Sequence, residues 1–215
     1  MKKIKIGTIG NSLVGKTTIC RNYLGEKFST EDLMTVGLDK FIKELEILIG
    51  EKTIKTNLLI YDTAGHEKYE SIVFNFIKKC DGILLVYAVN SEESFNDISK
   101  WINKIREFQH NKDFPIVLIG NKIDLENERV INKEQGEEEA KKHEFAFYET
   151  SAKTGENVKE AFQNLIDLVI QYKKDELLND NRIDDNVTMD GLEKRMDDVI
   201  DPKPDECCSS KCSIF

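Results

Sequence analysis

Residues 3–17 read KIKIGTIGNSLVGKT, and the order of residue types in that stretch decides the fold. Ile4–Ile9 is a short β-rich run that ends in Gly10, Asn11, Ser12, Leu13, Val14, Gly15, Lys16 and Thr17. These eight residues fit the pattern G-x-x-x-x-G-K-[ST] and, with Thr18, open a helical stretch. The glycines let backbone N–H groups wrap a phosphate without Cβ clashes. Lys16 can reach the β- and γ-phosphates, and the Thr17 hydroxyl can ligate Mg2+. The helix N-terminus adds favourable partial charge. A strand, a glycine loop and a helix in this order point to an α/β fold that binds a nucleoside triphosphate with Mg2+. The loop alone does not choose the base.

The rest of the chain suits that beginning. Its 215 residues are enough for one domain of about 150–200 residues plus an appendage. A hydrophobic content of 40% beside 33% charged residues is that of a soluble globular protein. The formal net charge of −9 argues against a general nucleic-acid binder, which needs a basic patch to neutralise phosphates. No apolar run approaches the roughly 20 residues of a membrane span. The opening MKKIKIGTIG alternates and runs into the glycine loop, so it reads as a first strand and not as a signal peptide. Cys20 and Cys80 lie in apolar patterns and read as buried core thiols, which suits a reducing cytosol.

Ile83–Val89 and Ile116–Ile119 are further β-rich runs. Helical spacing lies between and after them. Phe95, Ile98, Trp101, Ile102, Ile105 and Phe108 recur at three and four, as do Val158, Ala161, Phe162, Leu165, Leu168, Val169 and Tyr172. Alternating strands and helices predict a mostly parallel sheet. Phe41–Tyr61 is the exception, two strand-like runs around the turn IGEK, which reads as a β-hairpin at the sheet edge. From Lys173 to Phe215 there are seven Lys/Arg against twelve Asp/Glu and few apolar residues, so residues 174–215 read as a flexible tail after a domain at 1–173.

Three further stretches carry chemistry. NKID, Asn121 to Asp124, ends the strand FPIVLIG, and ligands bind at the strand ends of parallel sheets. The Asp124 carboxylate could accept from the ring N–H and exocyclic amine of guanine. Adenine offers no such pair, and that kind of mismatch can cost on the order of 10⁴-fold. TSAK, Thr150 to Lys153, follows the strand-like FAFYE, and a backbone N–H near Ala152 could then meet the guanine oxygen. LLIYDTAGHEKYES, residues 58–71, is a buried strand that ends in a carboxylate, Asp62, and a turn of small residues, followed by His66.

GNSLVGKT, Thr35 in a polar loop, DTAG, NKID and TSAK, in this order, resemble the small GTPases of the Ras superfamily over roughly residues 3–173. Within it, TVGLDKF, LLIYDTAGHEKYESI and CDGILLVYAVNSEESFNDISKWI are most similar to the Rab branch. Tyr61 departs from that branch's usual Trp, and FIKKC from its usual aromatic-Arg-Gly-Ala. The resemblance implies a P-loop NTPase G domain, a six-stranded, mostly parallel sheet with one antiparallel edge strand, flanked by helices. It implies a switch that binds GTP and GDP and slowly hydrolyses GTP in vesicle traffic. Ras-like signalling, or a GTP-binding scaffold with negligible hydrolysis, is the alternative. A P-loop kinase would share the phosphate loop but has no use for NKID and TSAK.

The resemblance also assigns roles. Thr17, Thr35 and Asp62 would bind Mg2+, Asp62 through water. Thr35 in switch I and the Gly65 N–H in switch II would also meet the γ-phosphate. Phe28 would pack edge-on against the guanine, and Asn121, Lys122 and Asp124, with Ser151, Ala152 and Lys153, would hold it. An exchange factor, an activating protein and effectors would meet switch I and switch II. His66 is the largest departure, because the family usually has Gln there to orient the attacking water. An imidazole offers one donor when neutral and differs in shape from a carboxamide. A nearby γ-phosphate favours its protonated form, which does not suit a base. Slow intrinsic hydrolysis rescued by an activating protein, or a GTP-locked switch, follows.

The chain closes in CSIF, a C-a-a-X box whose Phe favours geranylgeranylation of Cys212. One lipid usually needs a second signal, and the acidic tail lacks a polybasic patch. Cys207 and Cys208 are therefore candidates for palmitoylation, with plain spacer cysteines as the alternative. The expected place is the cytoplasmic face of a membrane, lipid-anchored and cycling with the cytosol.

Overall fold

The computed structural model describes residues 3–28, 37–49, 52–63, 65, 70–111 and 113–174. Thr35, His66, Cys207, Cys208 and Cys212 lie outside the described residues, as do the centre of the IGEK turn and the 175–215 segment. Six strands form one sheet: β1 Lys3–Ile9, β2 Leu38–Ile49, β3 Lys52–Thr63, β4 Gly82–Ala88, β5 Ile116–Asn121 and β6 Ala146–Thr150. The helices are α1 Lys16–Leu24, α2 Glu70–Ile77, α3 Glu92–Asn96, α4 Ile98–Phe108, α5 Lys133–His143 and α6 Val158–Tyr172.

The strand order is β2-β3-β1-β4-β5-β6. The hairpin strands β2 and β3 are antiparallel, while β3, β1, β4, β5 and β6 run parallel. The central parallel strands β4 and β5 are buried at every residue, so they read as continuous apolar runs. β2 alternates, with Phe41, Lys43, Leu45 and Ile47 turned in and Ile42, Glu44, Glu46 and Leu48 out.

Alternation along each strand splits the core in two. On one face Ile4, Ile6, Leu58, Ile60, Leu84, Val86, Val117 and Ile119 meet Ile19, Cys20 and Tyr23 of α1 and the apolar stripe of α6. Tyr23 stacks on Phe162 with ring centroids 3.9 Å apart. On the other face Leu59, Tyr61, Ile83, Leu85, Tyr87 and Leu118 meet Val73 and Ile77 of α2, Trp101, Ile102 and Ile105 of α4, and Ala140 of α5. Cys20 and Cys80 are buried free thiols. Tyr87 is fully buried, and its hydroxyl has no hydrogen-bond partner. A Cβ on Gly120 of β5 would press into the Tyr87 ring, and one on Gly136 of α5 into Tyr87 and Phe147.

One helical expectation changes. The periodicity from Phe95 to Phe108 is broken into α3 and α4 at Asp97, which is both the C-cap of the first and the N-cap of the second. Ser91 caps α3 by accepting from the Ser94 N–H, so the chain starts one turn, stops and restarts. No helix among the described residues is long and apolar enough to cross a membrane.

Candidate functional site

Parallel pairing brings the C-terminal ends of β1, β3, β4, β5 and β6 to one edge of the sheet. Thr8 pairs with Asp62 across β1 and β3, Ala88 with Asn121 across β4 and β5, and Asn121 with Thr150 across β5 and β6. The loops that follow these strands therefore converge.

The loop after β1 turns into α1 through Gly15, whose φ of +95° is left-handed. A Cβ there would also overlap the Asn121 side-chain nitrogen. Leu13, at φ +62°, takes the same left-handed conformation with its side chain 73% exposed. Lys16 is buried, and its Nζ donates to the carbonyls of Gly10 at 2.9 Å and Asn11 at 2.7 Å. Burial lowers its pKa to about 8, against the opposing charge of Asp62.

Asp62, the next-to-last residue of β3, is fully buried. Its Oδ1 accepts from the Thr8 hydroxyl at 3.1 Å and its Oδ2 from the Thr17 hydroxyl at 2.5 Å. Burial raises its pKa above the ordinary carboxylate value; the Thr17 hydrogen bond, the Lys16 charge and the Thr8 hydrogen bond oppose that rise. Gly65 lies against the phosphate loop so closely that a Cβ on it would overlap the Asn11 carbonyl and the Lys16 ammonium.

Asn121 is buried with its carboxamide fully engaged. Nδ2 donates to the Val14 carbonyl at 2.8 Å, and Oδ1 accepts from the Thr150 hydroxyl and the Ala152 N–H, both at 3.1 Å. The N–H of Ala152 itself is thus turned toward Asn121. The Ala152 carbonyl accepts from Asn22 Nδ2 of α1 at 3.2 Å. Asp124 accepts from the Ser151 hydroxyl at 2.6 Å, and Lys153 Nζ lies 4.0 Å from its second oxygen. Lys122 sits in a left-handed conformation at φ +72°, and burial lowers its pKa while Asp124 and Glu128 oppose the shift. Phe28 is 44% exposed and shares a small recess with Thr18, Asn22 and Ala152.

Two supporting networks escape a reading of the sequence. Arg129 grips Glu149 with both guanidinium arms, at 2.5 and 3.2 Å, and donates to the Ile131 carbonyl. This ties the chain beyond β5 to β6 just before Thr150. Asn11 Nδ2 donates to Asp97 at 2.7 Å, and Trp101 Nε1 donates to Asn11 Oδ1 at 2.7 Å. No local pattern marks this cluster, because it joins Asn11 to residues 86 and 90 positions away.

A sheet with this strand order, its phosphate loop after the first strand and the NKID and TSAK loops after the fifth and sixth, is the G domain of a small GTPase. The Ras family model matches residues 5–171. The Ras-related protein Rab-15 of Rattus norvegicus is 38% identical over 169 residues, 79% of this chain and 77% of that protein. Rab-3C of Bos taurus is 37% identical over 179 residues, 83% and 77% of the two chains, and Rab-10 of Diplobatis ommata 40% over 167 residues, 78% and 81%. The chain belongs to the Ras family and is a divergent, Rab-like small GTPase. It is a GTP-binding switch of vesicle traffic that hydrolyses GTP to GDP.

The Asn121 carboxamide gives a first test. Asn121→Leu leaves the Val14 carbonyl, the Thr150 hydroxyl and the Ala152 N–H without it, and buried unsatisfied groups cost roughly 1–3 kcal/mol each. Denaturant unfolding of the nucleotide-free protein should register a loss of about 3 kcal/mol or more. A wild-type midpoint would mean that the three loops hold together without Asn121.

Proposed function

We propose that GTP or GDP lies with its phosphates in the loop 10–17 and its guanine beside Phe28, Asn121, Lys122 and Asp124. The observation that carries this reading is Lys16, a buried amine whose two carbonyl partners engage two of its three ammonium hydrogens and do not neutralise its charge. A phosphate supplies that neutralisation, and the N–H groups of the loop at the start of α1 favour it further. Asp124 is held by Ser151 so that it can accept from the guanine ring N–H and amine. Asn121 acts chiefly by joining the phosphate loop to the loop of Ser151, Ala152 and Lys153.

The donor set fits Mg2+. The Thr17 hydroxyl and the Asp62 carboxylate are adjacent hard oxygens, and Mg2+ takes one or two such protein ligands beside phosphate oxygens and water. Thr17, with Thr35, would hold the ion, and Asp62 would do so through water. Bound there, Mg2+ would neutralise charge on the β- and γ-phosphates. Lys16 stabilises negative charge on the transferring phosphoryl group, and the Gly65 N–H, kept close by its missing side chain, meets the γ-phosphate. His66 orients the attacking water less well than a carboxamide would. Switch I around Thr35 and switch II around Gly65 and His66 meet the exchange factor, the activating protein and the effectors. Residues 174–215 serve as a tether whose Cys212 carries a prenyl group, with Cys207 and Cys208 as palmitoylation sites, and the protein works at the cytoplasmic face of a membrane.

Asp124→Asn should weaken GTP binding strongly and favour xanthine nucleotides, whose carbonyl replaces the amine. A fluorescent-nucleotide titration checks it, and the wild type should lose affinity when the same titration omits Mg2+. Unchanged GTP affinity in the variant counts against the base contact, and indifference to Mg2+ against the ion site. Cys212→Ser should leave the protein in the cytosolic fraction, since an acidic tail gains nothing from anionic lipid; a variant that still pellets with membranes refutes the anchor. Finally, the wild-type single-turnover GTP rate should lie at or below the order of 10⁻⁴ s⁻¹, and His66→Gln should raise it while His66→Leu changes it little. A rate unchanged or slowed by His66→Gln would show that another group orients the water.

A further inference from the structure

The phosphate loop is gripped from outside by a helix that the reaction does not otherwise use. Asn11 has three partners with different parts of the molecule. Its carbonyl accepts from the Lys16 ammonium at 2.7 Å. Its side-chain nitrogen donates to the Asp97 carboxylate at 2.7 Å, and its side-chain oxygen accepts from the Trp101 indole N–H at 2.7 Å. Asp97 and Trp101 stand one turn apart on α4, so a single helix face holds both ends of one carboxamide.

The arrangement costs the helix something. Asp97 occupies the N-cap of α4, where its carboxylate would ordinarily accept from an N–H of the first turn, yet it makes no cap hydrogen bond there. The carboxylate reaches Asn11 instead. Trp101 is 5% exposed and packed among the apolar residues between the sheet and α2, so its N–H cannot turn to water and is fixed in direction. Two rigid groups therefore set the rotation of the Asn11 side chain, and through its backbone the direction of the Asn11 carbonyl. The same carbonyl limits how near Gly65 approaches.

We propose that Asp97 and Trp101 are positioning residues for GTP hydrolysis, acting through Asn11 to fix the Lys16 ammonium and the approach of Gly65 to the phosphate. This rests on the nucleotide-site reading above. Neither residue touches the nucleotide. Their effect falls on the transition state, because an ammonium displaced by a fraction of an ångström still binds phosphate but stabilises the developing charge less well.

The test is a double-mutant cycle on full-length protein loaded with GTP and Mg2+, read by single-turnover hydrolysis and by thermal melting. Trp101→Phe keeps an aromatic ring and removes the N–H. In the native background it should slow hydrolysis by about tenfold, the scale of one hydrogen bond lost from the transition state. In the Asn11→Ala background, where its acceptor is already gone, it should leave the rate unchanged while still lowering the melting temperature. Asp97→Asn, which keeps an oxygen for Asn11, should retain most of the rate that Asp97→Ala loses. Equal slowing by Trp101→Phe in both backgrounds, or none in the native one, overturns the proposal and leaves Trp101 as packing alone. A wild type that binds no GTP overturns the nucleotide-site reading itself, and the clamp with it; one that binds GTP but never turns it over overturns the clamp alone.

Discussion

The buried carboxamide of Asn121 is the constraint on which the site depends. It is one side chain with one donor arm and one acceptor used inward, and it holds the loop after β1, the end of β6 and the loop beyond β6 in a single geometry. Water cannot substitute, because the group is sealed within the protein. Any movement of one loop then leaves a polar group unpaired in another, which couples the loop around Val14 to the loop of Ser151 and Ala152. Gly15 belongs to the same constraint, since a side chain there would occupy the space of the Asn121 amide.

That coupling is possible because the sheet beneath is covered on both faces. The apolar side chains of β4 and β5 alternate between the α1/α6 core and the α2/α4/α5 core, so neither strand can slip by one residue without exchanging the two. The strand register delivers Asp62 beside Thr8 and Asn121 beside Thr150. Polar groups collect at the strand ends, where the chain leaves the sheet and the backbone can bend. Stability and chemistry are thus divided between the faces and one edge of the same sheet.

Much of this was legible in the sequence. The first strand, the phosphate loop, the hairpin and the long final helix announce themselves through composition and period, because their local pattern and their tertiary environment agree. The break at Asp97 was not legible: apolar spacing runs straight through it from Phe95 to Trp101, and only the capping geometry separates the two helices. NKID and TSAK were readable as motifs, but not the division of labour inside them. A sequence cannot say that the Ala152 N–H turns toward Asn121, or that Ser151 spends its hydroxyl on Asp124, because both depend on side-chain directions between segments 31 and 27 residues apart in the chain. The Asn11, Asp97 and Trp101 cluster joins residues far apart in the chain and carries no motif at all.

Tyr87 fixes a different kind of limit. Its ring fills the space above Gly120 and reaches Gly136 on α5, so the two glycines are places reserved for another residue's bulk and not points of backbone freedom. In the history of such a chain the three positions cannot vary independently. Gly120 could acquire a side chain only after residue 87 had become smaller, and a smaller residue at 87 would first have to survive the hole it opened in the core. The permitted order of change at these three sites is written into the packing.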